Sequence, residues 1–291
     1  MEVCKITATD GTEVEYINEI IGSGTMKDVY FSPCKKYVVA FYRDKLDVAS
    51  RERLEMITGP YRDSIYNSGN GEYWKNLFCW PEKIVEHNGL TGVVVPAYQP
   101  HFFFEYGSVN NDFLKIKGKE KQGKWFASAN NQNRFLDDNE KGDWLSYLRI
   151  SLIIARAVRR MHAAGLAHSD LSYKNVLISP STGHATIIDV DGLVVPGKFP
   201  PDVVGTPDFI APEVVQTSHL SKNDTARILP SISTDRPALA LLIYNYFLFR
   251  HPLSWDNVHD LDPQNAEALA KGQHLLFIQH PLTHKNRFDH I

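Results

Sequence analysis

From residue 168 to residue 175 the chain reads His-Ser-Asp-Leu-Ser-Tyr-Lys-Asn, and the setting of this octet constrains the fold more tightly than any other feature. It follows an amphipathic helical stretch ending Arg160-Met161-His162-Ala163-Ala164-Gly165. It precedes Asp189-Val190-Asp191-Gly192 and then Gly205-Thr206-Pro207-Asp208-Phe209-Ile210-Ala211-Pro212-Glu213. An aspartate five residues before an asparagine is weak evidence alone, because both residues favour capped turns. Three such blocks in this order and at these separations say far more.

The rest of the chain frames those blocks. A length of 291 residues with 43% hydrophobic residues suffices for one large domain or two closely packed lobes. The net charge of -3 gives no prior for nucleic acid or an anionic membrane. Cys4, Cys34 and Cys79 are scattered and odd in number, which reads as reduced thiols of a cytoplasmic protein. The histidines His251, His259, His274, His280, His284 and His290 lack the spacing of a zinc site. The first residues do not read as a charged-then-apolar signal segment, and the longest apolar run, 238–249, is too short to span a bilayer; a membrane anchor, if one exists, is expected beyond Ile291.

The first third reads as strands. Residues 5–9 and 12–17 form a hairpin around Asp10-Gly11, and 19–22 and 29–32 flank a glycine-containing loop. Residues 37–42 make a further strand, and 84–85 and 92–95 pair around Asn88-Gly89. A helix is expected from 45 to 58, stopped by Gly59-Pro60. Residues 110–143 are polar and aperiodic and read as a partly disordered surface insertion. The lysines there (Lys115, Lys117, Lys119, Lys121, Lys124) lie near Trp125 and Phe126; a solvated loop is favoured over a nucleic-acid patch. Asp143 then caps a long helix with apolar positions Leu145, Leu148, Leu152, Ala155 and Val158. Residues 238–249 are apolar on every side, as in a buried helix.

The octet has the H-x-D-L-x-x-x-N form, and the three blocks together resemble the C-terminal lobe of a protein kinase. The resemblance implies an α+β, bilobal fold: a β-rich N-lobe over residues 1–98 with an extra hairpin, a hinge near Ala97-Tyr98, and a helical C-lobe over 99–291 that carries the 110–143 insertion. It further implies that Asp170 receives or orients the proton of a protein hydroxyl, with ATP as donor and Mg²⁺, or Mn²⁺ in its place, as the metal. Asn175 and Asp189 are the implied metal ligands, both hard oxygen donors. Asp191 stands where glycine is usual and either shares the metal or is the ligand after a one-residue slip; Val190 replaces the usual phenylalanine.

The loop Gly22-Ser23-Gly24-Thr25-Met26-Lys27-Asp28-Val29 matches G-x-G-x-x-G-x-V, except that Lys27 takes the third glycine. Glycines there let backbone amides approach phosphate. The next strand, Val39-Ala40-Phe41-Tyr42-Arg43, has Tyr42 in the position of the usual phosphate-binding lysine, and Arg43 points to the other face. Either the chain is a pseudokinase, acting as a nucleotide-sensing module, or Lys27 supplies the cation. The second arrangement resembles the with-no-lysine kinases and is favoured, since Asp170, Asn175 and Asp189 are all kept; the alternative is that Arg43 or Lys45 swings in. Glu52, rather than Glu55, is the expected carboxylate partner on the helix.

Ser169 replaces the arginine that receives an activation-loop phosphate, and no Ser, Thr or Tyr lies between Gly192 and Gly205. Activation-loop phosphorylation is therefore not expected to be required. Thr206 resembles the threonine that bonds the catalytic aspartate of serine/threonine kinases. Lys174 sits where some tyrosine kinases carry arginine, and is also a candidate to steady the γ-phosphate, while Ser172 fills the usual serine/threonine-kinase lysine position. Serine/threonine substrates are favoured. Asp235 is expected to hold the backbone of the 168–175 loop, and the Ser- and Thr-rich 216–232 stretch to carry phosphates or dock a partner. The divergent motifs look most like bacterial kinases of eukaryotic type, a fold-level analogy. A small-molecule kinase is the third reading, disfavoured by Gly-Thr-Pro-x-Phe-x-Ala-Pro-Glu. Protein substrates, but neither nucleic acid nor membrane, are the partners so implied.

Overall fold

The computed structural model describes residues 2–24, 26–67, 69–195, 197–199, 205–221 and 224–253. Thr25 and the histidines at 259, 274, 280, 284 and 290 lie outside the described residues. The chain divides into two compact units, Met1–Pro100 with Thr186–Leu193, and His101–Ala185 with the described residues of Val194–Ile291. The division differs from a single break after residue 98 in giving Thr186–Leu193 to the first unit. The reason is backbone pairing: Cys79 donates to the Ile187 carbonyl at 2.8 Å, and Ile187 donates to that of Leu77 at 2.9 Å.

The first unit is built on an antiparallel sheet of strand order β3-β4-β5-β7-β6, comprising β3 (Ile20–Ser23), β4 (Lys27–Phe31), β5 (Tyr37–Tyr42), β6 (Lys83–His87) and β7 (Leu90–Pro96). β6 and β7 meet at Asn88 (φ 51) and Gly89 (φ 77), the two positive-φ positions of a type I′ turn. Alternation gives the sheet two apolar faces. On one, the hairpin β1 (Val3–Thr7) and β2 (Glu13–Ile17) lays Ile6, Val14 and Tyr16 against Val39, Phe41, Val85 and Val94. On the other, Ala40, Tyr42, Ile84 and Val93 pack with Leu54 of α1 (Val48–Met56).

Gly59-Pro60 does not stop the helix, contrary to expectation. α1 passes into a π-helical turn, Ile57–Tyr61, with Pro60 inside it, and then into α2 (Arg62–Tyr66). Side chains add bonds to carbonyls around the widened turn: the Trp80 indole donates to Ile57 at 2.8 Å and the Thr58 hydroxyl to Leu54 at 2.9 Å. A short α3 (Gly71–Lys75) completes the unit's helices among the described residues.

The second unit is mainly helical. Beyond α4 (Val109–Asp112) and α5 (Ala129–Phe135), α6 (Trp144–Ala163) starts at Asp143, whose carboxylate accepts the Ser146 amide at 2.7 Å. Its buried stripe is Tyr147, Ile150, Ser151, Ile154, Ala157, Val158 and Met161. Leu145 and Leu152, expected on the core side, are 47% and 51% exposed. The helix carries two apolar stripes, and spacing alone does not say which one packs. After β8 (Val176–Ser179), β9 (His184–Ile187) and α7 (Pro212–Thr217), α8 (Ile232–Leu248) begins at a Ser231–Thr234 capping box. α8 buries one face, through Ala238, Leu241, Leu242 and Tyr246, and exposes Leu248, so it is not buried all round. Among the described residues no helix is long and apolar enough to cross a membrane.

Residues 110–143 are an integral, folded part of the second unit and are not the loose insertion their composition suggests. Ile116, Phe126 and Leu136 are buried. Lys121 and Glu140 form an ion pair of 2.7 Å with side chains only 4% and 1% exposed, and Glu140 also accepts the Tyr106 and Gly107 amides at 2.6 and 3.1 Å. Asp112 accepts the amides of Ser108, Ile116 and Lys117, each at 3.0 Å, which holds its carboxyl down at about 2 despite some desolvation. Outside the short α5, carboxylates and irregular turns satisfy much of this backbone, so the segment has little periodicity to read. Glu140→Ala leaves a buried ammonium and two amides without their acceptor. The expected cost is about 3–5 kcal/mol, seen as a melting temperature lower by on the order of 10 °C. A shift under about 2 °C contradicts this account of the segment.

Candidate active site

In the first unit the strand register decides which residues meet. Counting outward from Ser32 and Tyr37, where the β4–β5 turn closes, puts Val29 opposite Ala40 and Lys27 opposite Tyr42. Directly opposed residues share a face. A lysine on β4 therefore enters the space that a lysine at position 42 would occupy. Lys27 Nζ lies 3.0 Å from Asp189 Oδ1 and 2.8 and 2.7 Å from the two oxygens of Asp191, 5.4 Å from the centre of the Tyr42 ring. The Tyr42 hydroxyl donates to Asp191 Oδ2.

Burial and neighbouring charge act together on Lys27, Asp191 and Tyr42. Burial works against the Lys27 ammonium, but Asp191 and Asp189 overcome it and raise its pKa above the usual lysine value. Burial likewise pushes the Asp191 carboxyl up, yet Lys27 and the Tyr42 hydroxyl hold it below the usual range. Burial, then the Asp191 charge, raises the Tyr42 phenol well above its ordinary value. The two aspartates differ in setting. Asp191 is 7% exposed in the short turn Val190–Gly192, while the Asp189 side chain is 55% exposed on a left-handed residue (φ 58).

Arg43 points to the opposite face, as alternation requires. Its guanidinium meets Asp28 at 2.7 Å and donates to the Ser23 hydroxyl. Gly22 and Ser23 end β3, and the Gly24 amide donates to the Lys27 carbonyl at 2.9 Å, closing the loop whose Thr25 is not described. Val29 packs beside Ala40. Glu52 is exposed, and the ion pairs of Lys27 run to Asp189 and Asp191 instead; on α1 it is Arg53, 6% exposed, that turns inward. Ala97 and Tyr98 are half-buried, and the Ala97 amide donates to the Lys36 carbonyl at 3.0 Å.

In the second unit Asp235, 2% exposed near the start of α8, organises the 168–175 loop. It accepts the amides of His168 at 2.7 Å and Ser169 at 3.2 Å and meets His162 Nε2 at 3.0 Å. These bonds hold Ser169 in a left-handed conformation (φ 63) just before Asp170. The Asn175 amide nitrogen donates to both the carbonyl and Oδ2 of Asp170, each at 2.8 Å. Asp170 Oδ1 is buried and has no hydrogen-bond partner among the described residues. Gly205 (φ 130) passes so close that a Cβ there would lie 3.2 Å from the Ser169 carbonyl. Thr206 accepts from the Ser172 hydroxyl at 3.2 Å, whereas the sequence suggested a bond to Asp170. The Lys174 side chain is exposed.

Sequence reasoning missed the Tyr42–Asp191 bond, the inward Arg53 and the Ser172–Thr206 pair. For the first there was half a signal: the β4–β5 register sets Tyr42 opposite Lys27, but nothing in it brings Asp191 there. The others follow from side-chain directions that no spacing encodes.

Each unit by itself offers an oxygen donor of the kind a hard divalent cation takes. Asp189 is a largely exposed carboxylate, and both bonds of Asn175 to Asp170 use its amide nitrogen, leaving the amide oxygen uncommitted to them.

Comparison with known proteins agrees with this geometry. The chain is 33% identical over 108 residues to the death-associated protein kinase dapk-1 of Caenorhabditis elegans, covering 36% of this chain and 7% of that protein. It is 33% identical over 100 residues to the dual specificity testis-specific protein kinase 1 of Rattus norvegicus, covering 31% and 16%. It is 37% identical over 70 residues to the calcium-dependent protein kinase 6 of Oryza sativa subsp. japonica, covering 23% and 13%. The chain thus spans 16% or less of the length of these relatives. The sequence profile of the protein kinase domain matches residues 126–280, more than half of the chain, and the chain belongs to the protein kinase domain family.

Proposed function

We propose that the chain transfers the γ-phosphate of ATP to serine or threonine hydroxyls of protein substrates, without needing a phosphate on its activation segment. What supports the reading is the state of Asp170: one oxygen is held by Asn175, and the other is buried without a partner among the described residues. An aspartate kept only for structure has its buried oxygens satisfied. Here Oδ1 is an acceptor waiting for a hydroxyl proton.

Phosphoryl transfer asks a protein for position and charge compensation, with little covalent chemistry. Bound Mg²⁺, or Mn²⁺ in its place, would neutralise phosphate charge, held through the oxygens of Asn175 and of Asp189, the more open of the two neighbouring aspartates. Lys27 supplies the ammonium for the phosphates. Gly22, Ser23, Gly24 and Thr25 cover the nucleotide, Val29 and Ala40 give it an apolar surface, and Ala97 and Tyr98 meet the base. Asp170 receives the hydroxyl proton, and the exposed Lys174 reaches the γ-phosphate.

Incubation with Mg²⁺, radiolabelled ATP and casein, followed by phosphoamino-acid analysis, tests this. Phosphoserine or phosphothreonine is expected, and phosphotyrosine alone contradicts the substrate class. Phosphatase-treated protein is expected to keep its rate, because the stretch between Gly192 and Gly205 offers no hydroxyl. A rate restored only by rephosphorylation contradicts it.

A further inference from the structure

Resting on the kinase reading, we infer that Asp191, fastened by Tyr42, is the anchor that aligns Lys27, and that Asp189 alone of the two aspartates faces the metal. The two carboxylates are two residues apart, yet their surroundings differ in kind. Both oxygens of Asp191 are engaged by Lys27, at 2.8 and 2.7 Å, and one also accepts the Tyr42 hydroxyl. Its side chain is 7% exposed. Asp189 gives Lys27 one oxygen at 3.0 Å and is 55% exposed. A cation arriving from solution finds Asp189 open and Asp191 closed.

A buried ammonium needs a fixed counter-charge, and a carboxylate bound by a second donor cannot rotate away from it. Tyr42 gives Lys27 two constraints at once, because its ring lies beside the ammonium and its hydroxyl pins the ammonium's partner. The tyrosine in the vacated lysine position is thus a working part of the site. Val190, 1% exposed, fixes the turn that directs Asp191 inward. Lys27 is then aligned by the same turn that carries the metal-facing aspartate, and α1 with its exposed Glu52 is not needed for that task. Asp191 and Tyr42 are positioning residues, acting on the nucleotide through Lys27.

Mn²⁺ electron paramagnetic resonance with a non-hydrolysable ATP analogue separates these roles, reading metal affinity and analogue affinity independently. Asp189→Asn is expected to weaken Mn²⁺ at saturating analogue by about tenfold or more. Asp191→Asn and Tyr42→Phe are expected to keep Mn²⁺ affinity within about threefold while weakening the analogue by about five- to tenfold. Glu52→Gln is expected to cost less analogue affinity than Asp191→Asn. Tyr42→Phe keeps the ring and the packing, so it carries the test if thermal melts show that Asp191→Asn does not fold. Mn²⁺ lost as fully in Asp191→Asn as in Asp189→Asn overturns the inference, as does an unchanged analogue affinity in Tyr42→Phe or a larger loss in Glu52→Gln. A wild-type chain that binds neither Mn²⁺ nor the analogue overturns the kinase reading and this inference with it.

Discussion

Asp170→Asn is expected to lower the turnover number by about 10²–10⁴-fold while leaving nucleotide affinity within about twofold. The substitution is nearly isosteric, and the asparagine oxygen can still accept the 2.8 Å bond from Asn175. The change falls on the other atom. Where Oδ1 now lies buried without a partner among the described residues, an amide N–H₂ offers protons to a hydroxyl that must lose one. The amides of His168 and Ser169 stay tied to Asp235, so the loop keeps its shape. Turnover at saturating ATP and calorimetric titration of the ATP analogue check the two halves. A variant that keeps more than about a tenth of wild-type turnover shows that Asp170 is not the base.

Lys27→Met is expected to cost about 10²–10³-fold in turnover over the Michaelis constant for ATP, and Arg43→Met much less. Both residues are cations near the glycine loop, but they lie on opposite faces of adjoining strands. Arg43 is committed to Asp28 and Ser23, whereas Lys27 shares its face with Val29, Ala40 and Tyr42. Methionine at position 27 also leaves the buried Asp191 without its cation, so folding must be checked. Lys27→Arg keeps the charge and is expected to fold, yet to lose about tenfold, because a planar guanidinium cannot reproduce a point ammonium among two carboxylates and a ring. Steady-state kinetics beside thermal melts decide it. A larger loss in Arg43→Met than in Lys27→Met makes Arg43 the phosphate cation.

The parts of the fold legible in the sequence are those where one local rule acts without a competitor. Asn88-Gly89 gives a hairpin because few other pairs accept two positive φ values, and Asp143 caps α6 through a bond to Ser146. β5 emerges at 37–42 as its alternation requires. Rules in competition were less informative. In α6 two apolar stripes have helical spacing, and tertiary packing chose the one through Tyr147 and Ile154. Pro60 reads as a terminator, yet Trp80 and Thr58, one of them distant in sequence, let the helix widen and continue. The 110–143 segment looked disordered because its order rests in part on the half-buried Asp112 and the buried Glu140, carboxylates whose partners have no periodic spacing.

The candidate site follows the same division. The neighbourhood of Asp170 and Asn175 was readable, since it follows from a motif whose spacing is short, whereas Lys27 and Asp189 are 162 residues apart. The partner of Lys27 was not. The sequence offered Glu52 by helix spacing, while the structure brings Asp191 to the lysine on a turn just after Ile187, which pairs with residues 77–79.

The most direct measurement of the central claim is the crystal structure of this chain with Mg²⁺ and a non-hydrolysable ATP analogue. The expected result is Lys27 Nζ within hydrogen-bonding distance, about 3 Å, of the α- or β-phosphate. A map in which Lys27 faces solvent, with Arg43 or Lys45 on the triphosphate, contradicts it.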